Sequence, residues 1–210
     1  MYSREEWDDI YKNHLFDAPW MSEICAQGHI DFLKEFLPNV KGKKILDYGC
    51  GNGLIAYHFY KEGANIELAD ISDKLVEWLE NKYKDEVIKV IQAATPQEID
   101  NGGVPYDYII ANSLFHHVQP DLWTSFLIGF ANLLKRGGLL LLSGWDESDD
   151  FAKVKVAKYT QKTTWPITTI GNNIKQTNLF EIISEQVHAV GLPGFFKKSK
   201  MFKYYVLKKK

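Results

Sequence analysis

The sequence predicts an α/β fold in which a doubly wound, mostly parallel sheet is covered by helices on both faces. Short apolar runs alternate with amphipathic segments of helical period along residues 44–143, which is the pattern of βαβ units. A glycine-rich turn follows the first apolar run, as is typical of ligand-binding turns in open α/β sheets. The 210 residues, 45% hydrophobic and 25% charged, predict one domain spanning residues 1–210.

Apolar and β-branched runs predict five strands in the first two thirds of the chain. They lie at 44–48, 65–69, 87–92, 106–111 and 139–143. The last two are the most continuous, which favours central positions buried on both faces. After residues 146–179, which hold an acidic turn and a lysine-rich predicted helix, two closing strands are predicted at 180–189 and 201–207.

Helices are predicted between the strands at residues 54–61, 73–84 and 121–135. Ser72 is the expected N-cap of the second helix. Pro120 is expected to open the third helix, and Gly137 and Gly138 to end it. Residues 1–40 carry two further apolar stripes of helical period, which predict helices packed on the edge of the sheet.

The composition disfavours several classes of protein. A formal net charge of −2 argues against a dedicated nucleic-acid binder, and no apolar run reaches the length of about 18 residues that a membrane span needs. The first residues lack a basic segment followed by an apolar one, so a cytoplasmic location is expected. Cys25 and Cys50 have no spacing typical of a zinc site, so no metal is expected.

The stretch KILDYGCGNG, residues 44–53, places three glycines directly after a strand that ends near an acid. Glycines allow a ligand to approach the backbone, and the following helix start offers N–H groups to an anion such as a carboxylate. The carboxylate of Asp47 would repel a polyphosphate but attract a cation. The loop therefore predicts a site for a zwitterionic amino-acid group.

A second acid, Asp70, ends the second predicted strand in ELADIS. A carboxylate at this place can accept hydrogen bonds from both ribose hydroxyls. The alternative is that Asp70 only serves the N-terminus of the helix that follows Ser72.

With these motifs, and with YDYIIANSLFHHV and LLKRGGLLLLSGW further on, the chain resembles the class I S-adenosylmethionine-dependent methyltransferases, of the small-molecule type 11/12-like group. The resemblance implies a seven-stranded Rossmann-like sheet of order 3-2-1-4-5-7-6 with strand 7 antiparallel. It also implies an N-terminal helical cap at 1–40, a cofactor-binding core at 42–145, and a substrate-side insertion with closing strands at 146–210. The implied S-adenosylmethionine ligands are Asp47, Gly49, Cys50, Gly51, Asn52, Gly53, Asp70, Ile71, Ala93, Ala94, Asn112 and Ser113.

Two positions within the resemblance carry specific expectations. Members of the family commonly have an acid after the third strand that binds the adenine amino group, whereas this chain has Ala93. The backbone groups of Ala93 and Ala94, with an apolar contact from Ile71, are expected to hold the adenine instead. The backbone groups of Asn112 and Ser113 are expected to hold the amine of the cofactor, or else to serve only the turn.

The predicted reaction transfers a methyl group to oxygen or nitrogen of a small-molecule acceptor. His116 and His117 follow the fourth strand and are candidate bases, because histidine titrates near neutral pH; the alternative is that they only make local hydrogen bonds. Aromatic residues outside the core motifs are candidates for an acceptor pocket, although aromatics at helical spacing are more often core: Tyr2, Trp7, Tyr11, Trp20, Trp145, Tyr159 and Trp165.

Other functions remain open at this stage. A protein or RNA acceptor is an alternative because of the lysines near the C-terminus, and a cofactor-binding module without catalysis is another. A nicotinamide-dependent oxidoreductase is disfavoured, because the last glycine of GxGxxG would fall at Leu54. The oligomeric state is not predicted.

Overall fold

The computed structural model of the protein describes residues 3–14, 21–146, 165, 167–190 and 200–210. The α-helices in these ranges are α1 (Arg4–His14), α2 (Glu23–Phe36), α3 (Leu54–Lys61), α4 (Asp73–Lys82), α5 (Trp123–Leu133) and α6 (Ile170–Thr177). The strands are β1 (Lys44–Tyr48), β2 (Asn65–Asp70), β3 (Lys89–Gln92), β4 (Tyr106–Ala111), β5 (Leu134–Trp145), β6 (Phe180–Val190) and β7 (Lys200–Lys209).

The seven strands form one sheet of order β3-β2-β1-β4-β5-β7-β6. The pairs among β1 to β5 are parallel, and β7 runs antiparallel to both β5 and β6. The predicted order and the antiparallel seventh strand are confirmed. Strand order reverses between β1 and β4, and ligands of open α/β sheets bind beyond the carboxyl ends of the strands at such a point.

Two apolar layers cover the sheet, one on each face. Phe32 of α2 and Phe59 of α3 belong to the first layer, and Phe130 of α5 belongs to the second. Successive residues of β1 divide between them, because side chains alternate across a strand: Ile45 packs in the first layer and Leu46 in the second. Both are fully buried, as expected for a central strand.

The boundaries of several predicted elements differ from the structure, among them those of β3 and α4. β3 begins at Lys89, opposite Glu67, and Val87 is 88% exposed outside the pairing. The helix predicted at 73–84 ends at Lys82, where the N–H of Tyr83 bonds the carbonyl of Leu79.

The prediction that Gly137 and Gly138 end the third helix is wrong. α5 ends at Leu133, and Leu134 already pairs with Tyr106 of β4. Gly137, with φ +77°, therefore lies inside β5. Pairing with the neighbouring strand outweighs the helical pattern of the sequence here.

Local signals position the remaining elements. The side chain of Ser72 accepts a hydrogen bond from the N–H of Leu75 and caps α4 as predicted. α1 and α2 confirm the helices expected in residues 1–40, and α2 ends before Pro38. The lysine-rich helix predicted within 146–179 falls mostly outside the described residues, and the division into one domain stays a prediction. None of the described helices is long and apolar enough to cross a membrane.

Candidate functional site

A pocket of about 160 Å³ lies at the carboxyl ends of β1, β2 and β4. It is where the strand order predicts a ligand to bind. The predicted site residues, all except Gly53, line it: Asp47, Gly49, Cys50, Gly51, Asn52, Asp70, Ile71, Ala93, Ala94, Asn112, Ser113, His116 and His117. Their roles stay predictions, but the fold brings them together.

The turn after β1 forms one wall of the pocket with its backbone. Gly49 and Gly51 adopt φ of +70° and +53°, in the left-handed region that favours glycine. The N–H groups of Gly49 and Cys50 both donate to the carbonyl of Ala69, at 2.8 and 3.1 Å. The turn is thereby held to the end of β2, which keeps Asp70 beside it.

Gly53 serves packing rather than the pocket wall. It is the N-cap of α3 with φ +72°, and a Cβ there would lie 3.1 Å from both Leu68 Cδ1 and Tyr83 Cε2. The third glycine of the motif therefore allows α3 to start close to β2 and α4.

Asp47 is a buried carboxylate, 2% exposed. The backbone of Ala56, in the first turn of α3, makes a hydrogen bond to it, and Oδ2 has no hydrogen-bond partner among the described residues. Burial and, to a smaller extent, the neighbouring charge of Asp70 together raise the pKa of Asp47 to about 7. An ionised Asp47 is therefore costly in the empty pocket, and a bound cation would stabilise it.

Asp70 lies beside the same turn and is 4% exposed. Its Oδ1 accepts from the N–H of Ser72 at 3.1 Å and its Oδ2 from the N–H of Gly51 at 3.4 Å. Burial raises the pKa of Asp70 to about 6, against the lowering effect of these N–H groups. The structure thus supports both readings of Asp70 at once, since the carboxylate contacts the helix start and also lines the pocket.

The backbone groups of Ala93 and Ala94, which are expected to hold the adenine, are partly engaged within the chain. The N–H of Ala93 donates to the carbonyl of Asp70 at 2.9 Å, and the N–H of Ala94 donates to Oε2 of Glu98 at 2.9 Å. Both residues line the pocket. What they offer a ligand is therefore apolar contact and carbonyl oxygens, and their role in holding the adenine stays a prediction.

The turn after β4 is fixed by a residue that the sequence interpretation missed. The hydroxyl of Ser143, at the end of β5, donates to Asn112 Oδ1 at 2.7 Å and accepts from the N–H of Ser113 at 2.9 Å. Ser113 adopts φ +53°, which is strained for a residue other than glycine. Such strain persists only where surrounding contacts enforce it, as Ser143 does here, and only the pairing of β4 with β5 reveals this contact.

His116 and His117 lie on a 3₁₀ turn, Phe115–His117, which follows Ser113 in the chain, and both residues line the pocket. Burial lowers the pKa of His117 to about 3 and that of His116 well below its usual range. Both rings are therefore neutral at physiological pH. Nδ1 of His116 is buried without a hydrogen-bond partner among the described residues. Residue 144 beside it is glycine, and a Cβ there would lie 2.6 Å from Ile167 Cγ2 and 3.3 Å from this Nδ1.

The rest of the pocket wall comes from both ends of the chain. Trp7, Tyr11 and Trp145 were predicted as pocket aromatics, and they line it; Trp165 packs instead against the second apolar layer. Tyr2, Trp20 and Tyr159 lie outside the described residues. Sequence interpretation missed the lining residues Met21, Cys25, Ala26 and His29 around α2 and Phe202 of β7, since no local motif marks them.

α1 is anchored over the pocket through α4. Oδ1 of Asp8 accepts from the hydroxyl of Ser72 at 2.5 Å and from the N–H of Lys74 at 3.1 Å. Ser72 therefore joins the two acids, because its hydroxyl donates to Asp8 and its backbone N–H donates to Asp70. On the same helix, the ring of Trp7 contacts the ring of His117 edge-on at 5.1 Å, so α1 reaches from the second strand end to the histidine turn.

Solved structures of methyltransferases share the fold of the whole chain. The magnesium protoporphyrin IX methyltransferase of Synechocystis, with bound S-adenosylhomocysteine, aligns with a TM-score of 0.68 and 18% identity, over 98% of this chain and 94% of that one. The 1,6-didemethyltoxoflavin-N1-methyltransferase of Burkholderia thailandensis aligns with a TM-score of 0.68 and 16% identity, over 100% and 91% of the two chains. At these identities the likeness concerns the fold.

Sequence relatives add a family assignment. A ubiquinone biosynthesis O-methyltransferase of Xylella fastidiosa is 27% identical over 123 residues, which cover 54% of this chain and 46% of that protein. The chain spans about half the length of the curated relatives it matches. The matched segment covers 46% of the first of these relatives and 59% of the second. The family model of the methyltransferase domain matches residues 20–182. The chain therefore belongs to the methyltransferase domain family, and its fold is that of the class I S-adenosylmethionine-dependent methyltransferases.

Proposed function

We propose that the protein is an S-adenosylmethionine-dependent methyltransferase that acts on oxygen or nitrogen of a small-molecule acceptor. The observation that carries the proposal is the pair of buried carboxylates, Asp47 and Asp70, beside a turn whose glycines line the pocket. Oδ2 of Asp47 has no partner in the described part of the chain, in a site that burial makes costly for an anion. A ligand that carries an amino group and ribose hydroxyls relieves that cost, and S-adenosylmethionine carries both.

Each carboxylate has a distinct part in this proposal. Asp47, whose Oδ2 makes no hydrogen bond to any described residue, is the partner for the amino group. Asp70 keeps its backbone contacts and can accept from ribose hydroxyls with its remaining lone pairs. Ile71 and the alanines after β3 offer apolar contact to the adenine, and Asn112 and Ser113 offer carbonyl oxygens near the amino-acid end.

S-adenosylmethionine, when bound, supplies a methyl group on a positively charged sulfur, and that charge is lost because the carbon–sulfur electron pair stays with the sulfur. A lone pair of the acceptor oxygen or nitrogen forms the new bond, and its proton must leave. The chain's contribution is to align the reactants, exclude water and receive that proton. If His116 or His117 receives the proton, its imidazolium replaces the positive charge that the sulfur loses, so the net charge of the pocket does not change. This constancy of charge offsets the cost of forming an imidazolium in buried surroundings.

The position of the C-terminal lysines bears on the alternative of a protein or RNA acceptor. Lys208 pairs with Leu139 of β5, and Lys209 bonds the carbonyl of Leu134 at the start of that strand, so both lie away from the pocket at the carboxyl ends of the parallel strands. Lys203 instead pairs with Gly144 at the pocket end of β5, where its ammonium bonds Glu185. Lys208 and Lys209 therefore give no support to a larger acceptor, and labelling with a methyl donor decides between the acceptor classes.

Calorimetry with S-adenosylmethionine, S-adenosylhomocysteine and NADH tests the proposal. We expect both adenosyl compounds to bind with one site per chain and NADH not to bind; binding of NADH alone would overturn the assignment. Incubation of metabolite pools, RNA and protein fractions with labelled methyl donor then identifies the acceptor class. Label confined to RNA or protein would refute the small-molecule part, and adenosyl binding without any labelled product would favour a module without catalysis.

A further inference from the structure

Six aromatic rings form a continuous series along one part of the pocket. Trp7 contacts His117 at 5.1 Å, His117 contacts His116 at 4.0 Å, and His116 contacts Trp145 at 5.2 Å between ring centroids. The series continues from Trp145 to Phe202, stacked at 4.7 Å, and from Phe202 to His29, edge-on at 4.8 Å. These six rings, all of which line the pocket, are called the acceptor wall: Trp7, His29, His116, His117, Trp145 and Phe202.

The acceptor wall is unlike an ordinary aromatic core. Its members come from α1, α2, the turn after β4, the end of β5 and β7, and they meet at a cavity rather than fill it. His116 is 2% exposed, and its Nδ1 has no hydrogen-bond partner within the described part of the chain. A buried polar atom left unpaired costs about 1–3 kcal/mol, so its retention in a pocket calls for a functional explanation.

The charges of the pocket select among ligands. Burial lowers the pKa of His29 and His117 to about 3, so these imidazoles carry no positive charge at neutral pH. The acidic side chains that line the same pocket are Asp47 and Asp70. An anionic ligand would meet repulsion from the carboxylates and no compensating charge from the imidazoles.

We propose that the methyl acceptor is an uncharged planar aromatic compound, with a ring hydroxyl or a ring nitrogen as the nucleophile, that packs against the acceptor wall. Aromatic faces and edges favour a flat ring over a saturated one of the same size, through stacked and edge-to-face contacts. The neutral imidazoles can pair with its polar atoms while the walls exclude water. This inference rests on the proposed function, because it concerns the acceptor of the same transfer.

Four probes test the acceptor class with the full chain saturated by S-adenosylhomocysteine. Catechol is flat and neutral and carries hydroxyls; benzimidazole is flat and neutral with a ring nitrogen. Protocatechuate adds a carboxylate to catechol, and trans-1,2-cyclohexanediol keeps the diol without the flat ring. We expect catechol or benzimidazole to bind at least about tenfold more tightly than the last two, measured by calorimetry or ligand-observed NMR.

Two outcomes would overturn the inference: tighter or equal binding of protocatechuate or the cyclohexanediol, and no binding of either flat neutral probe. Both assume that S-adenosylhomocysteine itself binds. Its failure to bind would instead refute the proposed function, so the two failures are distinguishable.

Matched tryptophan variants locate the probe. Trp7→Leu removes a half-buried ring of the acceptor wall, whereas Trp78→Leu removes a half-buried ring of α4 that does not line the pocket. We expect Trp7→Leu to weaken binding of the preferred flat probe about three- to tenfold, the contribution of an aromatic pair, and Trp78→Leu to leave it unchanged. Phe202→Leu provides a second test should Trp7→Leu fold poorly. Equal affinity in wild type and in both wall variants would place the probe elsewhere and overturn the inference.

Discussion

The cofactor half of the pocket and the acceptor wall are built in different ways. The cofactor half consists of the turns after β1, β2, β3 and β4, at residues 47–52, 70–71, 93–94 and 112–113, and its glycines present backbone to the pocket. The acceptor wall consists of side chains from five separate elements. Backbone turns at parallel strand ends are set by the sheet itself, whereas side chains on peripheral elements can change without disturbing it.

The two regions also differ in charge. Two buried carboxylates with raised pKa values lie in the cofactor half, and buried imidazoles with lowered pKa values lie in the acceptor wall. Burial is the largest cause in both, because it disfavours whichever form is charged. The same low-polarity surroundings therefore make one region receptive to a cation and keep the other neutral.

The largest effect is expected from removal of a carboxylate in the cofactor half. Asp70→Ala deletes the proposed ribose acceptor and the partner of the Gly51 and Ser72 N–H groups. S-adenosylmethionine affinity should fall by about 1–3 kcal/mol, measured by calorimetry. Glu77→Ala removes an exposed acid of α4 and serves as the control. This variant should bind S-adenosylmethionine normally. An unchanged affinity in Asp70→Ala would remove the proposed role of this residue.

An effect of comparable size, at most about tenfold in affinity per pH unit for each titrating group, is expected from pH. Because the pKa values of Asp47 and Asp70 are raised to about 7 and about 6, the two carboxylates become neutral as pH falls. Affinity for the cationic donor should therefore rise as pH increases from 5.5 to 7.5. The upper limit keeps the α-amino group of the donor protonated, since such groups titrate at about pH 7.7–8.0.

The ligand-free protein should show the opposite trend. A raised pKa means that the folded state binds protons more tightly than the unfolded chain, so the contribution of these acids to stability falls as pH rises from about 4 to 7. Thermal melts across this range, with and without donor, measure both trends. Asp47→Asn should flatten the upper part of the affinity profile; a wild-type profile that is already flat would contradict the assignment of the two acids.

The contrast between the regions also explains what the sequence could predict. KILDYGCGNG and ELADIS each hold a strand, its turn and its acid within one short segment, so period, glycines and charge were enough to place Asp47 and Asp70. The order of the sheet followed from the family resemblance. Gly53 was placed on the loop correctly, but its contact with Tyr83 depends on packing between α3 and α4.

The acceptor wall could not be predicted in the same way, for a physical reason. His29 and Phe202 are more than 170 positions apart in the chain, and they meet only because β7 inserts between β5 and β6. In the sequence each looks like an ordinary core residue of a helix or strand. The availability of the Ala93 and Ala94 N–H groups was likewise unpredictable, because it depends on contacts with Asp70 and Glu98.

The smallest effect is expected where the two regions are joined, at the contact of α1 with α4. Asp8→Ala removes the carboxylate that accepts from the Ser72 hydroxyl and the Lys74 N–H. It also removes a negative charge at the N-terminus of α4. Together these losses should destabilise the contact of α1 with α4 by about 0.5–1 kcal/mol. Asp9→Ala is the matched control, because the side chain of exposed Asp9 accepts from Asn13 on its own helix and from no other described residue. Hydrogen exchange of residues 4–14 should quicken in Asp8→Ala alone. Affinity for the methyl donor should fall about two- to threefold, because α1 carries Trp7 and Tyr11 over the pocket.

Equal exchange in the two variants would show that Asp8 does not hold α1 in place. Faster exchange with unchanged donor affinity would show that α1 belongs to the acceptor region alone.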